Sequence, residues 1–360
     1  MALSLSPDQE HIRSEARRFL KDAFRSDVQR ELLHQRGQYD AAFWQSCIDM
    51  GWTAAGVPEQ FGGLGLGALD VCLIAEECGR VIAAAPFLAA NYAAAFALLD
   101  HGDDTQREAL LPGIAAGKVR FALAFLETED GLAEKPSTTL RAGKLTGDKI
   151  AAAGAAAATH ALVHTSAGIA IVDLASPGVT RETGDTIDNT RCSAALRFDN
   201  TPAQTLSASA DALHLLAIQA AISAFEQIGG AETTMQMARE YACTREAFGQ
   251  LIGKFQAIKH RIAEMFVAIE LARGNALLAA TGLAEGAPDF VARAGAARLT
   301  ASDAFEFSAA NSIQTHGAIG ATWEHDLHLY LRRARALAVE LGSPLFWEDV
   351  VVDALQGANT

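Results

Sequence analysis

Apolar and polar positions alternate with helical spacing from the start of the chain. Ser6 offers an N-cap, Pro7 suits the first helical position, and Asp8 and Gln9 fill the first turn. Ile12, Ala16, Phe19 and Leu20 then recur on one face. A second helical stretch carries Phe43, Cys47 and Met50 and stops at Gly51. The segment 56–67 is dense in glycine and reads as loop. Helices are predicted over 68–82, 87–101 and 104–116, so residues 1–118 read as an N-terminal helical domain.

The period changes at Val119. FALAFLE (121–127) reads as a buried strand, and Lys144 to Lys149 as a strand with a turn. ALVHTS (161–166), GIAIVDL (168–174) and SAALRFDN (193–200) are further short apolar or alternating runs. Strands at this spacing predict a small β-barrel or sandwich over 119–205. The Ala-rich run 151–161 has high helix propensity, but its place between strands argues against a helix there. Beyond Pro202 the helical period returns over 209–243, 255–282, 288–313, 325–340 and 345–356. Long helices with short connections predict an antiparallel bundle over 206–360. The expected fold is mainly α with a middle β-domain.

Half of the 360 residues are apolar, 20% are charged and the net charge is −14. That balance argues against nucleic acid or an anionic membrane as partner, since both require clustered Lys and Arg. Five scattered cysteines with no Cys-x-x-Cys pair fit a reducing cytoplasm. The N-terminus shows no signal-peptide pattern, and no apolar run is expected to reach the roughly 18 residues of a spanning helix. The expectation is a cytoplasmic protein without a membrane partner or metal site.

Two stretches hold candidate chemistry. Arg245-Glu-Ala-Phe-Gly249, continuing to Gln256, joins two long helices. An Arg beside a Gly-containing turn can meet a phosphate bidentately, Gly249 and Gly253 allow backbone N–H groups to approach it, and Gln256 can donate from the next helix. The same residues also suit a plain helix connector with a surface Arg. The second stretch, Gln314-Thr-His-Gly-Ala-Ile-Gly320, breaks a helix with two glycines and permits close backbone approach to a flat or charged ligand. His316 there is either a ligand contact or a packed loop histidine.

Together with Val57-Pro-Glu-Gln-Phe-Gly-Gly-Leu-Gly65 and Glu76-Glu-Cys-Gly-Arg80, these stretches resemble the acyl-CoA dehydrogenase family. Residues 240–260 resemble its "YAxxRxxFGxxIxxFQ" signature, and 314–320 its "QxxGGxG" loop. The resemblance covers nearly the whole chain. It implies an N-terminal helical domain, a middle β-domain and a C-terminal four-helix bundle, with FAD clamped between sheet module and bundle and touching a neighbouring subunit. Arg245 would meet the FAD diphosphate, with Phe255 and Gln256 near its adenosine end. Gln314, His316, Gly317 and Ala318 would approach the FAD of another subunit. The implied assembly is a dimer or tetramer. The implied reaction is α,β-dehydrogenation of an acyl-CoA: a carboxylate removes the α-proton, the β-hydrogen passes as hydride to the flavin, and electrons leave to an electron-transfer flavoprotein.

The sequence departs from that pattern where the chemistry should sit. One family base position falls on Leu341, with Glu340 one residue earlier, and the other falls on Gln219. A one-residue shift turns a helical side chain by about 100°. Glu340 is therefore the candidate base only if the backbone is locally irregular, as Gly342 and Pro344 permit. Glu127 to Gly131 replaces the usual flavin loop without its Pro, Lys149 to Ala153 lacks the usual aromatic residue, and Ala318 stands where the second Gly of the loop is expected. Three readings stay open: an active dehydrogenase, a subunit of a heteromeric one whose sister chain supplies the base, and a non-enzymatic binding or assembly protein on the same fold.

Overall fold

A computed structural model describes residues 5–357. Six helices come first: α1 (Pro7–Ala23), α2 (Ser26–Leu33), α3 (Ala41–Asp49), α4 (Ala68–Arg80), α5 (Leu88–His101) and α6 (Asp104–Ala115). α1 starts where the sequence predicts, with a reciprocal capping box. Ser6 Oγ accepts from the Gln9 N–H, and Gln9 Oε1 accepts from the Ser6 N–H. α2 is absent from the sequence reading: it is eight residues long and has no side-chain cap at its start.

The chain then forms two four-stranded sheets. β1 (Phe121–Ala124), β4 (His160–Thr165), β5 (Gly168–Asp173) and β8 (Gln204–Thr205) make the first; only the β1–β4 pair is parallel. β2 (Thr139–Arg141), β3 (Lys144–Ala152), β7 (Ala194–Pro202) and β6 (Val179–Glu182) make the second, all antiparallel. Phe121, Leu145, Val163, Val172, Leu196 and Phe198 are among the residues that fill this domain's core. The Ala-rich run forms the end of β3, a turn and the start of β4, not a helix. Gly154 turns there with φ +73 beneath the ring of Phe87.

α7 (Ala212–Thr244), α8 (Gln256–Glu285), α9 (Phe290–His316) and α10 (Leu327–Val339) follow, and α11 (Pro344–Gly357) packs on α9. One expectation is corrected here. An 18-residue window of α7 is long and apolar enough, by length and composition, to cross a membrane. It is 89% buried inside the fold, where its Ala and Ile residues meet neighbours on every side. Glycines on both helices let it approach α4 closely. A Cβ on Gly79 of α4 would lie 1.9 Å from the Glu226 carbonyl, and one on Gly229 would lie 1.9 Å from the Glu76 carbonyl.

Candidate functional site

The two candidate stretches meet at one end of the bundle. Arg245 caps the C-terminus of α7 and leads into a hairpin, β9 (Glu246–Ala247) paired with β10 (Gln250–Leu251). Phe248 and Gly249 turn it with positive φ values of +53 and +76. Phe248 is 97% exposed, with its ring edge-on to Phe255 at 6.2 Å. Phe255 precedes α8 and gives its N-terminus no side-chain cap, so backbone N–H groups beside exposed Gln256 remain available to an anion. Arg245 is exposed, and among the described residues no carboxylate lies within ion-pair distance of it.

Tyr241 lies one helical turn before Arg245 and stacks on His316 at 4.3 Å. His316 ends α9, is buried, has Nδ1 2.8 Å from the Ser312 carbonyl oxygen, and presents its ring to His325 at 4.9 Å. His316 is thus a packed residue that anchors the loop. On either side of it, Gln314, Gly317 and Ala318 are exposed, and Gly317 adopts φ +64. The sequence signals for Arg245, Phe255, Gln256 and the 314–318 loop therefore converge on one surface.

Glu340 and Gln219 lie elsewhere. Gln219 is about 39 Å from Arg245 along α7 at 1.5 Å per residue, beyond the reach of one dinucleotide. Arg245 is exposed, at the opposite end of α7 from the Gln219 seam. Gln219, Glu340 and Leu341 face β1, β3 and Phe125 across a cavity of only ≈ 10 Å³, also lined by Leu126, Ile150 and Ala152. That is room for about one water. Gln219 is 2% exposed, and among the described residues its Oε1 has no hydrogen-bond partner.

Both oxygens of Glu340 are engaged. Arg191 Nε donates to Oε2 at 2.8 Å and Nη2 to Oε1 at 2.7 Å. Arg191 Nη1 also reaches Glu226 at 3.2 Å. Arg333 donates to Asp188 at 2.6 Å, to Glu226 and Thr190 at 2.8 Å, and to the carbonyls of Ile82 and Ala83. This buried network joins the α4–α5 turn, the 188–191 turn of the β-domain and two bundle helices. Burial opposes charge on Arg191, but Glu226 and Glu340 outweigh it and keep the guanidinium protonated. Burial likewise opposes charge on Asp188, and Arg333 holds its carboxyl below the usual range. Sequence reasoning missed Asp188, Arg191 and Arg333, because isolated charges near turns carry no local mark of burial.

The replaced flavin loop folds onto its own sheet. Glu127 accepts from Ser137 N–H at 2.7 Å, Thr138 N–H at 2.9 Å and Lys149 Nζ at 2.8 Å. Gly131 lies against the Phe346 ring of α11. Farther along the same seam is a groove of ≈ 580 Å³ with Leu132, Ile169 and Phe346 in its walls. Its charged lining is acidic: Glu134, Asp211, Asp349 and Asp353. Burial, with Lys149 nearby, pushes the groove's His164 down to about 4, so this imidazole brings no positive charge at neutral pH.

The acyl-CoA dehydrogenase N-terminal domain family model matches residues 6–118, and the C-terminal domain model matches 210–344. The chain belongs to the acyl-CoA dehydrogenase family. It is 33% identical over 326 residues to acyl-CoA dehydrogenase IpdE2 of Mycobacterium tuberculosis, covering 90% of this chain and 89% of that protein. The solved Tcur3481–Tcur3483 steroid ACAD G363A variant superposes with a TM-score of 0.89 at 26% identity, covering 98% and 99% of the two chains. The ChsE4–ChsE5 complex from M. tuberculosis shares the fold, with a TM-score of 0.88 at 23% identity and 99% coverage of each chain. The family members' FAD provides a test of fit. The exposed end of the bundle suits a diphosphate, having an unpaired guanidinium, an uncapped helix N-terminus and aromatic edges. The chain's own seam at Gln219 and Leu341 leaves only ≈ 10 Å³, and a separate cavity of ≈ 240 Å³ is lined by Glu127, Lys149 and Ile150.

Proposed function

We propose that this chain is the base-lacking subunit of a heteromeric, FAD-dependent acyl-CoA dehydrogenase. Arg245, the N–H groups at Gln256, and the backbone of Gly317 and Ala318 hold the diphosphate end of a flavin whose ring and substrate lie in a sister chain. FAD supplies the acceptor for the β-hydride, and the sister chain supplies the carboxylate that takes the α-proton. Electrons then pass to an electron-transfer flavoprotein. The observation that carries this reading is the state of the base positions. Gln219 and Leu341 cannot take a proton, and both oxygens of Glu340 already accept from Arg191. The filled seam and the acidic groove support it, since coenzyme A carries phosphates that four carboxylates repel. The likeness to a steroid dehydrogenase and to a two-component complex supports a bulky acyl group and a partnered assembly.

The test is to purify the chain alone and together with a similar sister chain. The lone chain should be colourless. The pair should be yellow, hold one FAD per two chains and bleach on addition of a suitable acyl-CoA. A lone chain that binds FAD and bleaches sinks this reading in favour of a self-sufficient dehydrogenase.

A further inference from the structure

The loop that carries Gly317 and Ala318 is held from outside the bundle. Arg30, on α2 of the N-terminal domain, donates from Nε to the Trp323 carbonyl at 3.0 Å. Its Nη2 donates to the Glu324 carbonyl at 2.8 Å and to Asp326 at 2.6 Å. Three acceptors on the segment linking α9 to α10 are thus gathered by one planar guanidinium, a geometry that Lys cannot reproduce. His34, also at the end of α2, adds a ring contact to Trp323 at 5.4 Å, and Trp323 stacks on His328 at 4.7 Å. From the pinned segment, contacts run without a gap through His325 to His316 and Tyr241, and Arg245 follows one turn later. The other side of α2 is fixed as well, because Asn189 donates to the Leu33 carbonyl at 2.8 Å.

We propose that Arg30 is a positioning residue for the cofactor-facing loop: it fixes the 323–326 segment, and so the His325–His316–Tyr241 stack and the exposed backbone at Gly317 and Ala318. The proposal rests on the reading that this surface meets a flavin diphosphate in another subunit. Arg30 touches no ligand itself. It acts by keeping the donors from wandering, which lowers the ordering that binding must impose.

The test uses the two-chain complex, with Arg30→Ala and Arg30→Lys as variants and Arg36→Ala as control. Arg36 also bridges to the β-domain, through an exposed pair with Asp185, and among the described residues it makes no bond to the 323–326 segment. FAD dissociation is read from flavin fluorescence on dilution, and amide hydrogen exchange is followed over 317–322 in the flavin-free complex. Arg30→Ala should weaken FAD by about tenfold and speed exchange in that loop, with the centres of α8 and α9 unchanged. Arg30→Lys should fall between, and Arg36→Ala should match the parent. Unchanged FAD affinity and loop exchange in Arg30→Ala overturns the proposal, as does exchange that rises equally throughout the chain. A parent complex that binds no flavin counts against the functional reading instead, while the exchange measurement still tests the hold of Arg30 on the loop.

Discussion

At the residue scale the decisive pair is Arg191 and Glu340. A general base must have an oxygen within reach of the proton it removes, and its loss costs about 10²–10⁴-fold in rate. Glu340 instead faces a guanidinium with both oxygens. In the two-chain complex, Glu340→Gln should leave acyl-CoA-dependent bleaching within about twofold of the parent, far from the loss of a base. A hundredfold drop with FAD retained returns Glu340 to the chemistry. Stability should respond in the opposite order. Arg191→Met strands Glu340 and weakens the compensation of Glu226, which should cost about 3–5 kcal/mol in urea unfolding. Adding Glu340→Leu to Arg191→Met should recover part of that loss, because the stranded charge is then gone. If the double variant is no more stable than Arg191→Met, the pair is not what holds this junction.

At the element scale α4 and α7 pack backbone to backbone through glycines. A Cβ on Gly79 or Gly229 would run into a backbone carbonyl of the facing helix, and backbone cannot swing aside as a long side chain can. Gly79→Ala and Gly229→Ala should each cost at least about 1–3 kcal/mol by chemical denaturation, although both changes favour an isolated helix. Unaltered stability in either variant would mean the helices separate freely at that crossing. The crossing was not legible in the sequence: Gly79 lies in the Glu76–Arg80 motif and Gly229 inside a long predicted helix, with nothing to show that each faces a carbonyl of the other helix. What was legible is what repeats over many residues. The long bundle helices declare themselves by period, and Ser6 and Pro7 announce α1. α2, with eight residues and no cap, has no such signal, although Arg30 on it holds the loop after α9. β8 has two residues and β2 three, too few for alternation to register. Arg245 stood out as a candidate phosphate contact because a Gly-turn Arg is a local pattern, and the structure leaves it exposed at the end of α7. Its separation from the seam depends on α7 running unbroken, and the Arg191 network depends on residues brought together from four parts of the chain.

At the scale of the whole molecule, acid should undo the fold in two stages. Burial is the leading cause that lowers His160, His164, His214, His325 and His328 from their usual value, His164 to about 4. A histidine whose folded value is depressed takes its proton first in the unfolded chain. Stability is therefore lost as pH falls below about 6.5, the unfolded imidazole value, until the folded value is passed. Asp188 and Glu127 are held low for a different reason: burial opposes their charge, but Arg333 and Lys149 respectively outweigh it. Their contribution is complete above the unfolded carboxyl value and is lost below about pH 4. The net charge of −14 acts the other way in the first stage, because mild acid relieves self-repulsion. High salt screens that long-range term and leaves the buried groups almost untouched. Thermal unfolding followed from pH 8 to 3 in high salt should therefore show a shallow fall in Tm beginning below about pH 6.5 and a steep one below about 4. A Tm that stays level or rises between pH 6.5 and 4.5 in high salt would mean that these histidines are as easily protonated in the folded chain as in the unfolded one.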